Sequence, residues 1–272
     1  MTAPQSALTG SRRASVAAAP LSAPWNAIVV VPAHDESDRV EACVRSVLRS
    51  IDAARDRLRQ SCVVVVADKC QDATAAVARR TISLKSLPMA FMQAHVIEIE
   101  NGNVGTARAI GVAFAQQAIG TVDRSRTWVA NTDADTCVPA NWMVEQLRWA
   151  DAGVVGVAGV VTVDTFTEHP PIVAERFHAT YTARLPDDSR DHEHVHGANL
   201  GVRLDAYLHA GGWQQLELSE DHDLWNRMRA KGLTTRSPSS LQVVTSGRAT
   251  SRCPGGFADA LCAHRLAGER SA

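Results

Sequence analysis

Residues 27–31, Ala-Ile-Val-Val-Val, carry no polar side chain, and the chain turns polar directly after Pro32, with His34-Asp35-Glu36. An all-apolar, β-branched run without alternation predicts a strand buried on both faces, as at the centre of a parallel sheet. The pattern recurs downstream. Cys62-Val-Val-Val-Val-Ala67 is a second such run, ending in the polar loop Asp68–Asp72. His95–Ile99 predicts a third strand, closed by the turn Asn101-Gly-Asn-Val-Gly105, and Trp128–Ala130 a fourth, running into Asn131-Thr-Asp-Ala-Asp135. Between the strands, Val40, Cys43, Val44, Val47, Leu48 and Ile51 recur at helical spacing, with Ser37 as the expected cap. Further helices are expected from Ala73 and from the Asn101–Gly105 turn through Ala118. Strand and helix alternating over short connections predict a parallel α/β sheet wound by right-handed crossovers. In such sheets a ligand lies beyond the carboxyl ends of the strands. Pro32–Glu36, Asp68–Asp72, Asn101–Gly105 and Asp133–Asp135 should therefore meet in one crevice.

The second half alternates less regularly. Val154–Val163 reads as one strand, Pro171–Arg184 as a helix, Gly197–Val202 as a short strand, Ser219–Lys231 as a helix and Leu241–Thr245 as a last strand. The reading is a single domain over residues 26–250, after a disordered Ala-, Ser- and Pro-rich tail over 1–25 and before a helical tail over 251–272. Acidic and basic residues nearly cancel, 29 against 28, which argues against a nucleic-acid binder working through bulk positive charge. No apolar run reaches the roughly 18 residues of a membrane span, although peripheral membrane contact is compatible with the sequence. The N-terminal segment lacks the continuous apolar core of a signal peptide. Six cysteines without a CxxC pair predict free thiols and a cytoplasmic setting.

Asp133-Ala134-Asp135 places two carboxylates around one small residue at a strand's end, before Pro139, which is expected to start the next helix. Such a pair can aim at one hard cation, magnesium or manganese, and leave coordination positions open for phosphate oxygens. The triplet is common by chance as a string; its place among four polar loops at strand ends makes it specific. Glu220-Asp221 opens the helix that carries Trp225. Carboxylates there can simply cap a helix with Ser219 and Asp223, or Asp221 can serve as a general base.

Six segments together resemble the family 2 glycosyltransferases: Val30-Val-Pro-Ala-His-Asp-Glu36, Ala67-Asp-Lys-Cys-Gln-Asp-Ala-Thr74, Gly105-Thr-Ala-Arg108, Asn131–Asp135, His196-Gly-Ala-Asn199 and Glu220-Asp-His-Asp-Leu224. The resemblance covers about residues 27–246 and implies the GT-A fold, a single nucleotide-binding α/β domain whose mixed sheet is flanked by helices, and inversion at the anomeric carbon. It further implies a nucleotide sugar as donor and a divalent cation as cofactor. Pro32, His34 and Glu36 would then lie beside the nucleoside, Asp68 on the base, Arg108 near the nucleotide, and Asp133 on the ribose or metal. Asp135 would be the principal metal ligand and Asp221 the catalytic base. Asp35 stands where the family usually has Asn, and Ala109 replaces a common Asn. The last strand lacks the late histidine with which many relatives bind metal, leaving either Arg248 or Arg252 to neutralise a diphosphate or the metal to be held more weakly.

Glu220, Asn199, Trp213 and Arg248 are further candidates for acceptor or diphosphate contact, although core packing explains Trp213 as well. His192, His194 and His196 would share one face of an extended segment, and an acceptor loop suits them better than a zinc site. Asn101–Gly105 lacks the spacing of a dinucleotide fingerprint. A turn at Gly255-Gly256 should lead into a helix over 257–266, for which the sequence suggests no function. The acceptor would be a small molecule, a glycan or a lipid-linked group. The competing readings are a non-catalytic nucleotide-sugar-binding protein and a nucleotidyltransferase, which would want a basic, Gly-rich first loop where Pro32–Glu36 offers acids.

Overall fold

The structure, a computed structural model, describes residues 23–84, 91–216, 218–252 and 256–266. Residues 1–22 of the expected tail, and Cys253 and Gly255, lie outside the described residues. Trp25 opens β1 and is 2% exposed. In chain order the first half is β1 (Trp25–Ala33), α1 (Val40–Ala53), β2 (Leu58–Asp68), α2 (Thr74–Leu84), β3 (Met92–Ile99), α3 (Val104–Ile119), β4 (Thr127–Asn131) and α4 (Trp142–Asp151). The second half is β5 (Gly156–Ala158), β6 (Val160–Val163), α5 (Pro171–Thr180), β7 (Leu200–Arg203), α6 (Leu204–His209), α7 (Glu220–Ala230), β8 (Thr235–Arg236), β9 (Gln242–Thr245) and α8 (Phe257–Leu266).

Seven strands form the main sheet in the order β3-β2-β1-β4-β7-β5-β8. The first four are mutually parallel, so their carboxyl ends share one edge, while β7 runs antiparallel to both β4 and β5. Continuous apolarity in β1 has a direct cause: Ala27, Val29 and Val31 face one hydrophobic core and Ile28 and Val30 the other. α1 and α4 close the first core, and α3, α6 and α7 close the second. Each Val or Ile withdrawn from water in this way contributes about 1.5–3 kcal/mol. Trp25 and Trp128 meet edge to face at 6.3 Å between adjacent strands.

Several expectations are corrected. Val154–Val163 is two strands in two sheets: β5 stays in the main sheet and β6 pairs with β9. The break falls at Gly159, where a Cβ would lie 2.2 Å from Asn199 Nδ2, so the chain can pass Asn199 only without a side chain. Ser37 does not cap α1; Arg39 occupies that position without a side-chain bond, and the Ser37 amide donates to Asp72 Oδ2 at 3.0 Å. Pro139 lies one turn ahead of α4, its carbonyl accepting from the Trp142 amide at 3.0 Å. The helix expected to reach Arg184 ends at Thr180 and is followed by a separate 3-10 turn, and residues 197–199 form a 3-10 turn ahead of β7. The terminal helix α8 packs on α5, with Leu261 1% exposed in the first core. Among the described residues no helix is long and apolar enough to cross a membrane.

Candidate functional site

The four strand-end loops meet in a crevice of about 490 Å³. Pro32, His34 and Glu36 from β1, Asp68 from β2, Asn103 and Arg108 from α3, and the whole Asp133–Asp135 triplet line it. Glu220 and Asp221 close it from α7, and Arg248 from beyond β9.

The loop geometry follows from local chemistry. Asp35 adopts φ 52°, the left-handed region that Asn and Asp tolerate best among residues with a side chain. From there its Oδ1 accepts the amides of Gln71 at 2.6 Å and Asp72 at 3.2 Å, tying the first loop to the second. His34 Nδ1 donates to the Asp68 carbonyl at 2.7 Å. Asp68 accepts three backbone amides, Asn101 at 2.9 Å, Gly102 at 2.8 Å and Asn103 at 3.1 Å, and so holds the third loop. Asn103 then caps α3 by accepting the Thr106 amide at 2.9 Å.

Two guanidiniums organise the acids. Arg108, 2% exposed, donates through Nη2 to Asp133 Oδ1 at 2.6 Å and through Nη1 to Glu220. It leans over Trp213, 5.1 Å from the ring centroid, and a Cβ on Gly197 would lie 2.3 Å from its Nη2. Arg248 donates to Glu36 Oε2 at 3.0 Å, to Glu36 Oε1, and to Asp135 Oδ2. Burial pushes the Glu36 carboxyl up to about 7 against the pull of Arg248, with Asp135 adding to the rise. Asp133 opens onto the crevice, 37% exposed, yet is ringed by protein. That desolvation pushes it up to about 6 against Arg108, with Asp135 and Glu220 reinforcing the rise.

The triplet was tested as a cation site on its free oxygens. Among the described residues, Asp135 Oδ1 meets only the hydroxyls of Thr136 at 3.3 Å and Thr245 at 3.5 Å, and no donor reaches Asp133 Oδ2. Two hard oxygen donors on one tight turn fit magnesium or manganese. Among the described residues, the one three-residue grouping of ligand atoms is Asp35, Cys70 and Asp72, whose aspartates already build the turns above. Thr245 and Ser246, at the end of β9, also line the crevice.

Asp221 lines the same crevice. Its Oδ2 accepts the Gly197 amide at 2.8 Å and its Oδ1 the His222 amide at 2.7 Å. A carboxylate oxygen offers two acceptor positions, so one on each oxygen stays available. The other acids of that turn are engaged, Glu220 with Arg108 and Asp223 with Arg227 at 2.6 Å, while Ser219 makes no side-chain cap bond.

Two candidates do not reach the crevice. Asn199 is fully buried, donating to the Val160 and Leu241 carbonyls at 2.9 Å each and accepting from Trp142 Nε1 at 2.9 Å. It locks the sheet junction and is no acceptor contact. Trp213 is 5% exposed in the second core and touches the site only through Arg108.

The structure places His196 and Arg252, both named from the sequence, in the lining and adds His222 and Phe257 to it. The Val161 amide donates to Tyr181 Oη at 3.1 Å, and the same Oη is hydrogen-bonded to His196 Nε2 at 2.9 Å. His196 packs beside the Tyr181 ring at 5.8 Å between centroids. Burial holds its pKa down at about 4 despite Asp221. Phe257 belongs to α8, whose place at the crevice no sequence signal indicates.

No curated protein matches the chain. Among solved structures, a mannosyltransferase from Pyrobaculum calidifontis, in complex with GDP-Man and Mn2+, superposes with a TM-score of 0.62 at 19% identity, over 92% of this chain and 63% of that one. TarS of S. aureus superposes at 0.55 with 12% identity, over 81% of this chain and 36% of that one. A shorter form of TarS in complex with UDP gives 0.53 at 14% identity, over 81% and 60%. The chain thus spans about two thirds or less of these proteins, and at such identities the likeness establishes the GT-A fold. The family model for glycosyl transferase family 2 matches residues 28–208, well over half of the chain, and this chain belongs to that family.

Proposed function

We propose that the protein is an inverting glycosyltransferase that moves a sugar from a nucleoside-diphosphate sugar to a hydroxyl acceptor, assisted by a divalent cation. The observation that carries this reading is that Asp133–Asp135 and Asp221 line one and the same crevice. Asp135 and Asp133 would hold the cation through their open oxygens. When bound, it supplies positive charge against the diphosphate that departs as the glycosidic bond breaks. Arg248 and Arg252, at the same end, add charge of the same sign. Asp221, oriented by the Gly197 amide, takes the proton of the acceptor hydroxyl as the new bond forms. Attack from that side, opposite the leaving group, inverts the anomeric carbon.

Pro32, His34 and Glu36 are assigned to the nucleoside side, and the Asp68-held turn to the base. Arg108 is assigned to keeping Asp133 in register. The donor class is supported by the GDP-Man and UDP complexes of the structural neighbours. The acceptor is a small molecule, a glycan or a lipid-linked group, with peripheral membrane contact where it is lipid-linked. The free thiols Cys43, Cys62, Cys70, Cys137 and Cys262 suit a cytoplasmic setting.

A panel of nucleotide sugars, screened by thermal shift with and without manganese, should reveal one donor that raises the melting temperature, because a ligand that binds only the native state stabilises it. Slow hydrolysis of that donor should require manganese. Asp135→Ala should abolish transfer with the fold intact, and Asp221→Asn should lower turnover sharply while sparing donor affinity. Turnover by Asp135→Ala in the presence of chelator would rule out the cation-assisted mechanism. Tight donor binding with no hydrolysis or transfer would instead make the protein a nucleotide-sugar sensor.

A further inference from the structure

The two guanidiniums on the triplet are held very differently. Arg108 is anchored: it is 2% exposed, sits within a helix, packs against Trp213, and faces a glycine that leaves no slack. Arg248 lies in the irregular segment after β9, with its side chain 16% exposed and opening onto the crevice. Its guanidinium forks onto Glu36, whose side chain is 6% exposed, and reaches Asp135, whose side chain is 14% exposed. It thereby covers one oxygen of the very carboxylate assigned as principal cation ligand. Among the described residues, no third carboxylate, imidazole or thiolate joins the triplet to outcompete it.

A divalent cation on Asp135 and a guanidinium on the same carboxylate repel each other. Arg248 must therefore yield before the cation binds well. A diphosphate gives it a reason to move, since an arginine fork matches phosphate oxygens as well as carboxylate oxygens. We infer that Arg248 is an internal occupant of the cation seat, displaced from Asp135 only when a nucleoside diphosphate arrives to receive its guanidinium. The inference rests on the cation-assisted reading above and adds a regulation to it. Cation and donor bind as a coupled pair, and the donor-free protein holds the metal weakly. The coupling passes through Arg248 and is reciprocal.

The test is Mn2+ affinity, read from the paramagnetic resonance of the free ion, with and without each of UDP, GDP, ADP, CDP and dTDP. The wild-type protein should bind Mn2+ at least tenfold more tightly with its cognate diphosphate than alone. Arg248→Gln should bind Mn2+ alone at least tenfold more tightly than wild type. The gain from the diphosphate should shrink by a similar factor, leaving only direct phosphate–metal bonding. Because Arg248→Gln strands the buried Glu36 carboxyl, the double variant Glu36→Gln/Arg248→Gln, which removes both partners, should show the same rise. Unchanged Mn2+ affinity in both variants, with the wild-type coupling intact, would overturn the role of Arg248. Wild-type protein that binds no Mn2+ with any diphosphate, indistinguishably from Asp135→Ala, would overturn the cation-assisted reading itself.

Discussion

The resemblance assigned Arg108 a place near the nucleotide; its partners within the protein carried no signal in the sequence. Its guanidinium is stripped of water, so its charge is tolerable only while Asp133 and Glu220 both accept from it. Arg108→Met should destabilise the protein by about 3–5 kcal/mol in urea unfolding, because it leaves Glu220 buried without a counter-charge. Gly197→Ala should reproduce part of that loss, since its Cβ would displace the guanidinium. Loss below about 1 kcal/mol in Arg108→Met would show that the pair is solvated in solution. At the same scale, Asp221 was readable as a carboxylate at a helix start. Its bond from the Gly197 amide comes from a residue distant in sequence, which no local pattern reports.

Among the elements, the central parallel strands were read correctly because burial on both faces leaves an unbroken apolar signature. The junction from β5 to β6 was misread for the same reason: its apolar run continues through a change of sheet, and only Gly159 marks the break. The segment ending at His196 carries a pH dependence of its own. Burial lowers the pKa of His192, His194 and His196, the last to about 4. Between about 4 and the ordinary 6.5, the unfolded chain binds more protons than the native one, so this segment loses stability as pH falls through that window. Glu36 has the opposite sign: its raised pKa keeps a proton on the native state up to about 7, so it stabilises toward lower pH. Bulk melting therefore mixes the two. Amide exchange resolved to residues 181–197 should accelerate from pH 7 to pH 5 relative to β1 and β2, after correction for intrinsic rates. Equal protection at both values would mean that these imidazoles are solvated.

Across the whole molecule, the crevice gathers groups from both halves of the chain. The family match ends at residue 208, yet Glu220, Asp221 and Arg248 come after it, and α8 supplies Phe257. The C-terminal helix is thus part of the domain and no loose tail. Leu261→Ala, which empties a fully packed position between α8 and the first core, should cost about 2–4 kcal/mol in global unfolding. A cost near zero would show that α8 is undocked in solution.

The parallel half of the sheet, the convergence of its polar loops and the family itself follow from sequence, because hydrophobic periodicity and strand-end chemistry are local properties that each segment carries alone. The partners of the triplet were decided by tertiary structure. Asp135 meets Arg248, and Asp133 meets Arg108, through contacts between distant segments. Which charge neutralises which in a crevice depends on distance and desolvation after folding, and neither quantity is written in the order of residues.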